Sequence, residues 1–199
     1  MSEVDRFYAD NMFHGYVEGM NMNSDSVIID LGTYKGKTTK LLSDLYKSKI
    51  YTFEPMIPFA KEAAEACASH PNITVLPYGL GKGNFDFFMN MADDSTSMIT
   101  SRNSDSATNC SMRDFFDFLT EKNITTIDLL HINIEGAEYD LLDYIFSNNF
   151  QVNIRYLIVQ FHYRSPTNDE KLQRYFDLLK ATHVCKYDYN YVWTKWERL

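Results

Sequence analysis

Hydrophobic and polar positions change their period several times along the chain, and each change marks an element. Residues 1–26 place Phe7, Phe13, Tyr16 and Val17 on one apolar stripe at helical spacing, then turn polar in NMNSDS. This predicts a helical N-terminal segment ending in a loop. SVIIDLG (26–32) is a short, continuous, β-branched run, the pattern of a strand covered on both faces. Leu41, Leu42, Leu45 and Tyr46 then fall at helical spacing over 37–46.

The alternation continues. KIYTFEP (49–55) predicts a second strand stopped by proline, and IPFAKEAAEACASH (57–70) an alanine-rich helix. NITVLPYGL (72–80) predicts a third strand, while FDFFMN and SMITS predict short extra strands around the polar stretch ADDSTS (92–97). Ser111 with Asp114 reads as the cap of a helix over 112–122. IDLLHINIE (127–135) and RYLIVQFH (155–162) predict a fourth and a fifth main strand. The helix between them carries Leu141, Leu142 and Ile145. Thr167 with Glu170 resembles a capping box for a helix through Leu172, Tyr175 and Leu179. HVCKYDYN and YVWTKWERL end the chain as two strands joined tightly at Asn190.

Strands alternate with helices up to the last pair, which has no helix between its members. The fold class is therefore α/β: a doubly wound, Rossmann-like, mostly parallel seven-stranded sheet with an antiparallel C-terminal hairpin. Neither a linker nor a repeat interrupts it. Residues 1–26 are expected to belong to the same domain as residues 27–199.

The stretch DLGTYKGKTT (30–39) crosses from the first strand into a helix and carries the candidate chemistry. Its Gly36-Lys37-Thr38 resembles the close of a phosphate-binding P-loop. The first glycine of a P-loop would then stand at Leu31, whereas the glycine is Gly32, so the loop is one residue short. The dinucleotide pattern fails as well, because Tyr34 occupies its second glycine position. What remains is Asp30, Gly32 and Gly36, suited to a ligand without pyrophosphate. Gly32 permits close backbone approach, and the helix start from Gly36 to Thr38 offers free N–H groups to a carboxylate. Asp30 suits a cationic amine, received directly or through water. Glu54, at the end of the next strand, suits both hydroxyls of a ribose. A ribose with an amino-acid tail and no phosphate is S-adenosylmethionine.

Five segments, VIIDLGTYKGKTT, YTFEP, VLPYGLG, MRDFFDFL and above all IDLLHINIEGAEYDLL, resemble FkbM-type methyltransferases, a branch of the class I S-adenosylmethionine-dependent enzymes. The matching segments lie within residues 27–162. The resemblance implies an O-methyltransferase acting on a sugar or glycan hydroxyl, or on a polyketide-type natural product. Glycosyltransferase modules of a larger chain are implied as possible partners. Where the family carries Lys and Asp in the last segment, this chain has His131 and Asn133, and an acid frequent on the next strand is Gln160 here. Two carboxylates are thus replaced by amides, so no metal site is expected. Glu135, Glu138, Asp93 and Asp94 are the acids left to build one.

In this setting Asn133 offers its amide to the methionine end of the cofactor. Gln160 and His162 are expected on one side of their strand, and Asn133 and Glu135 on one side of theirs. A neutral imidazole titrates near neutrality, which makes His162 the first candidate for the base. Glu135 is the second catalytic candidate, orienting the base, binding the acceptor or taking the proton itself. His131 reads as a packed residue. A methyltransferase fold that binds the cofactor without turnover is the alternative from another class.

Net charge of −8 in 199 residues argues against a nucleic-acid partner. No apolar run approaches the ~20 residues of a membrane span. The N-terminus is polar and acidic, unlike a signal peptide, and three scattered cysteines suggest no disulfide framework. A cytoplasmic location is the expectation that follows.

Overall fold

The computed structural model describes residues 1–90, 98–99, 107–148 and 152–199. In chain order the elements begin with α1 (Glu3–Ala9), α2 (Met12–Gly15), β1 (Val27–Leu31), α3 (Lys37–Tyr46), β2 (Lys49–Phe53) and α4 (Ile57–Ala66). Then come β3 (Ile73–Leu76), β4 (Gly79–Gly81), β5 (Phe85–Asn90), β6 (Met98–Ile99), β7 (Ala107–Asp114) and α5 (Phe115–Glu121). The chain closes with β8 (Thr126–Ile132), α6 (Glu138–Ser147), β9 (Asn153–Val159), α7 (Pro166–Lys180), β10 (His183–Tyr189) and β11 (Trp193–Arg198).

The main sheet has seven strands in the order β10-β11-β9-β8-β1-β2-β3. Its pairings are parallel except those of β11, which runs against both neighbours. This is the sheet expected from a chain whose last two strands lack a crossover helix. The apolar run of β1 is buried on both faces because it lies at the centre. Ile29 and Leu31 join the core under α5, α6 and α7, and Ile28 joins the core under α1 and α3.

Other expectations are revised. The single third strand is two, broken at Pro77 and Tyr78: β3 belongs to the main sheet and β4 to a second sheet ordered β4-β7-β5-β6. Ser111 is not a cap, because it lies inside the β5–β7 ladder and bonds Asp86. Asp114 caps α5 instead, accepting from the N–H groups of Phe116 and Asp117. Ser165 rather than Thr167 caps α7. Pro166 at the first helical position has φ pre-set for helix and no N–H to satisfy, so the helix starts there. In the N-terminal segment Phe7, Tyr16 and Val17 are buried, but Phe13 is 46% exposed, since the segment is two short helices and not one stripe.

Candidate active site

The turn after β1 is built from left-handed backbone. Gly32 has φ +83°, Tyr34 +52° and Gly36 +82°. Gly32 and Thr33 donate their N–H groups to the Phe53 carbonyl, tying the turn to the end of β2. A Cβ on Gly32 would stand 1.8 Å from the carbonyl oxygen of Asn133. The glycine is therefore required where the ends of β1 and β8 approach each other, and not only where a ligand approaches. Gly36 begins α3 against α4, its missing Cβ facing Cys67 and Ala63.

Asp30 is wholly buried. It stands in register with Thr52 of β2 and His131 of β8, so three side chains form a row on one face. His131 Nδ1 lies 2.8 Å from Oδ1, and Thr52 and Thr39 donate to Oδ2 at 2.8 and 2.5 Å. Burial alone would raise this carboxyl, but the bonds from His131, Thr39 and Thr52 outweigh it and hold the pKa low. These bonds turn Asp30 to the protein's own side chains, whereas the sequence reading has it receive an amine directly or through water. The carboxylate organises the turn from beneath.

Glu54 follows β2 and is 6% exposed. Its oxygens accept the N–H of Tyr34 at 3.0 Å and of Met56 at 2.9 Å. Burial raises its pKa to about 7, against the pull of those two donors. On the other side of the turn, Asn133 Oδ1 is buried with no hydrogen-bond partner among the described residues. A buried amide oxygen without a donor is costly unless a ligand supplies one. A buried acid after β2, an acceptor without a partner among the described residues and a helix start free of side-chain caps at Gly36 fit an amino-acid nucleoside such as S-adenosylmethionine. Thr38 stands in the first turn of α3, half-buried.

The catalytic candidates lie past the strand ends. β8 stops at Ile132 and β9 at Val159, so period-2 geometry does not reach Glu135 or His162. Glu135 (φ +51°) and Gly136 (φ +104°) turn the chain into α6. The structure nonetheless brings the pair together, with His162 Nε2 3.4 Å from Glu135 Oε1. Glu138, missed in the sequence as anything but a spare acid, clamps them. It is wholly buried, and its oxygens accept the N–H of Gly136 and of His162, both at 2.7 Å, with His162 Nδ1 at 3.3 Å. Burial pulls the His162 pKa down, but the hydrogen bonds and charges of Glu135 and Glu138 outweigh it and hold it at about 9. A group held there carries its proton at neutral pH, whereas the sequence reading takes the imidazole as neutral.

A cavity of about 1280 Å³ runs from the strand ends to the second sheet. Of the expected site residues Gly32 and Glu135 line it, whereas Asp30, Gly36, Thr38, Glu54, Asn133 and His162 are not among its lining residues. Phe85, Phe87, Met89 and Met112 make its far side apolar. Among the described residues no group of three or more His, Cys, Asp or Glu stands where it would hold a metal ion. Asp93 and Asp94, with the rest of ADDSTS, lie outside the described residues. Among the described residues no helix is long and apolar enough to cross a membrane.

This strand order, with a glycine turn after β1 and an acid after β2, defines a class I, Rossmann-like methyltransferase. Solved structures share the fold. A proposed rRNA-methylase from Clostridium thermocellum has a TM-score of 0.59 at 11% identity, over 95% of this chain and 94% of that one. A proposed methyltransferase from Streptococcus mutans in complex with SAH has a TM-score of 0.55 at 12% identity, over 96% and 97%. Aeropyrum pernix fibrillarin with natively bound S-adenosyl-L-methionine has 0.54 at 12%, over 96% and 74%. No curated protein sequence matches the chain. The Methyltransferase FkbM domain matches residues 30–191, and the chain belongs to that family. It is an S-adenosylmethionine-dependent methyltransferase.

Proposed function

We propose that the chain methylates a hydroxyl group of a sugar or glycan. The observation that carries this reading is the Glu135 carboxylate on the cavity wall beside cationic His162. Bound S-adenosylmethionine supplies an activated methyl group on a sulfonium. Glu54 holds the ribose, Asn133 Oδ1 accepts from the ammonium, and the first turn of α3 from Gly36 to Thr38 faces the carboxylate. Glu135 aligns the acceptor hydroxyl and takes its proton as the new bond forms. His162 fixes Glu135 by ion pair, and Glu138 holds the backbone N–H groups of His162 and of Gly136, the residue after Glu135. His162 itself accepts a proton only where the medium rises above about pH 9.

A net charge of −8 supports an acceptor other than nucleic acid, although some fold neighbours are described as acting on rRNA. It is compatible with a cytoplasmic enzyme. The apolar far wall of the cavity favours a second reading, a polyketide-type acceptor. Transfer of labelled methyl from S-adenosylmethionine to a panel of glycans, nucleotide sugars and hydroxylated polyketides tests both. Transfer to the polyketides alone would overturn the sugar assignment. Cofactor binding with transfer to none of the panel supports the alternative of a binding protein.

A further inference from the structure

We infer that Tyr16 and His131 are positioning residues for the cofactor turn, so that docking of the N-terminal segment and cofactor binding strengthen one another. The inference rests on the proposed seat of the cofactor at the turn from Gly32 to Thr38. Tyr16 comes from the segment before β1 and is buried. Its hydroxyl lies 3.4 Å from Thr38 Oγ1 and 3.5 Å from His131 Nε2. The other nitrogen of His131 stands at Asp30, whose second oxygen holds Thr39 and Thr52. A continuous chain of polar groups thus runs from the N-terminal segment, under the turn, to β2.

The chain is seated by packing as well. The ring of Tyr16 lies 4.5 Å from that of Trp193, and His131 stacks on the same indole at 5.1 Å and 24°. The backbone around Tyr16 is strapped down residue by residue. Tyr187 donates to the Tyr16 carbonyl at 2.6 Å, Tyr46 to that of Val17 at 2.7 Å, and Lys195 to that of Glu18 at 2.6 Å. An imidazole is the side chain suited to this bridge. It has a polar atom at each end of a rigid ring, and so reaches Asp30 and Tyr16 at once. The two Tyr16 contacts are long, which leaves room for them to shorten as Thr38 takes up a ligand. Interactions that strengthen in the bound state couple the two events, and the coupling is reciprocal.

Hydrogen exchange of the wild-type protein with and without saturating S-adenosylhomocysteine, joined to calorimetry of two variants, tests this. The cofactor product is expected to slow exchange of the amides of residues 16–22 by threefold or more, an effect of about the size of one hydrogen bond. Tyr16→Phe keeps the stacked ring and removes only the hydroxyl. His131→Asn keeps a donor for Asp30 but does not reach Tyr16. Each is expected to bind S-adenosylhomocysteine about 3–10-fold more weakly and to lose the gain in protection. The double variant is expected to be no weaker than the weaker single, because both break one relay. Wild-type amides indifferent to the bound product, or losses that simply add, would overturn the relay while leaving the cofactor seat standing. A wild-type protein that does not bind S-adenosylhomocysteine overturns the seat and the relay together. The wild-type exchange measurement decides the matter even where a variant fails to fold.

Discussion

Glu54→Gln probes the cofactor cradle with the least change of shape. In the wild type each oxygen of Glu54 accepts one backbone N–H, from Tyr34 or from Met56. Each oxygen retains a lone pair for one ribose hydroxyl. The amide has a single acceptor. In either orientation its NH₂ faces a backbone donor, so one backbone bond is lost and one ribose hydroxyl loses its charged acceptor. A hydrogen bond to a charged group is worth about 1.5–3 kcal/mol. Losing the ribose bond should weaken S-adenosylhomocysteine binding by about 10–150-fold. Wild-type binding should also depend on pH, because a ribose with two hydroxyl donors selects the ionised acid. The folded acid titrates at about 7. Affinity should therefore be full above that value and fall by up to about tenfold per pH unit below it. The linked effect on stability has the opposite sign. An acid raised from 4.5 to about 7 binds its proton more tightly when folded, so stability declines as pH rises from 4.5 through about 7. Isothermal titration calorimetry of both proteins from about pH 5.5 to about pH 8.5 reads the binding effects. A Gln variant that binds like the wild type, with a wild-type curve flat in pH, would refute the ribose assignment.

Glu135→Gln should lower turnover by about 10²–10⁴-fold with cofactor affinity nearly unchanged, in a methyl-transfer assay on the acceptor the screen identifies. At saturating cofactor the wild-type pH–rate profile should change near pH 9, where His162 loses its proton, and this change should vanish in His162→Gln. Thermal melting should separate two glycines. Gly32→Ala meets a backbone carbonyl at 1.8 Å at φ +83° and should cost more than about 4 kcal/mol or prevent folding. Gly136→Ala meets the ring of Tyr163 at 2.5 Å, a ring more than half exposed and free to swing, and should cost only about 1–3 kcal/mol. EDTA should leave turnover intact, since among the described residues no three His, Cys, Asp or Glu are grouped to hold a cation. Loss of activity restored by Mg²⁺ would show that the remaining acids form a site.

The order of the main-sheet strands and the helices between them was legible in the sequence because each is encoded within a few residues, whereas β4 and β7 of the second sheet were not. The unbroken apolar run of β1, the glycine turn behind it and the absence of a helix between β10 and β11 were sufficient for a mostly parallel sheet with β11 reversed. Glu54 was legible for the same local reason, as an acid that ends a strand before a proline. The state of each site residue was not. Asp30 and His131 are 101 positions apart and meet only because β1 and β8 pair in one register. The same register places Thr52 beside them, and so the acid expected to meet a ligand lies sealed beneath the turn. His162 reads as an ordinary imidazole until the turns after β8 and β9 bring Glu135 and Glu138 to its two nitrogens. Strand register and loop conformation decide which charges share a buried space. Because desolvation and Coulomb energy depend on that space, protonation is a tertiary property, while the alternation of elements is a local one.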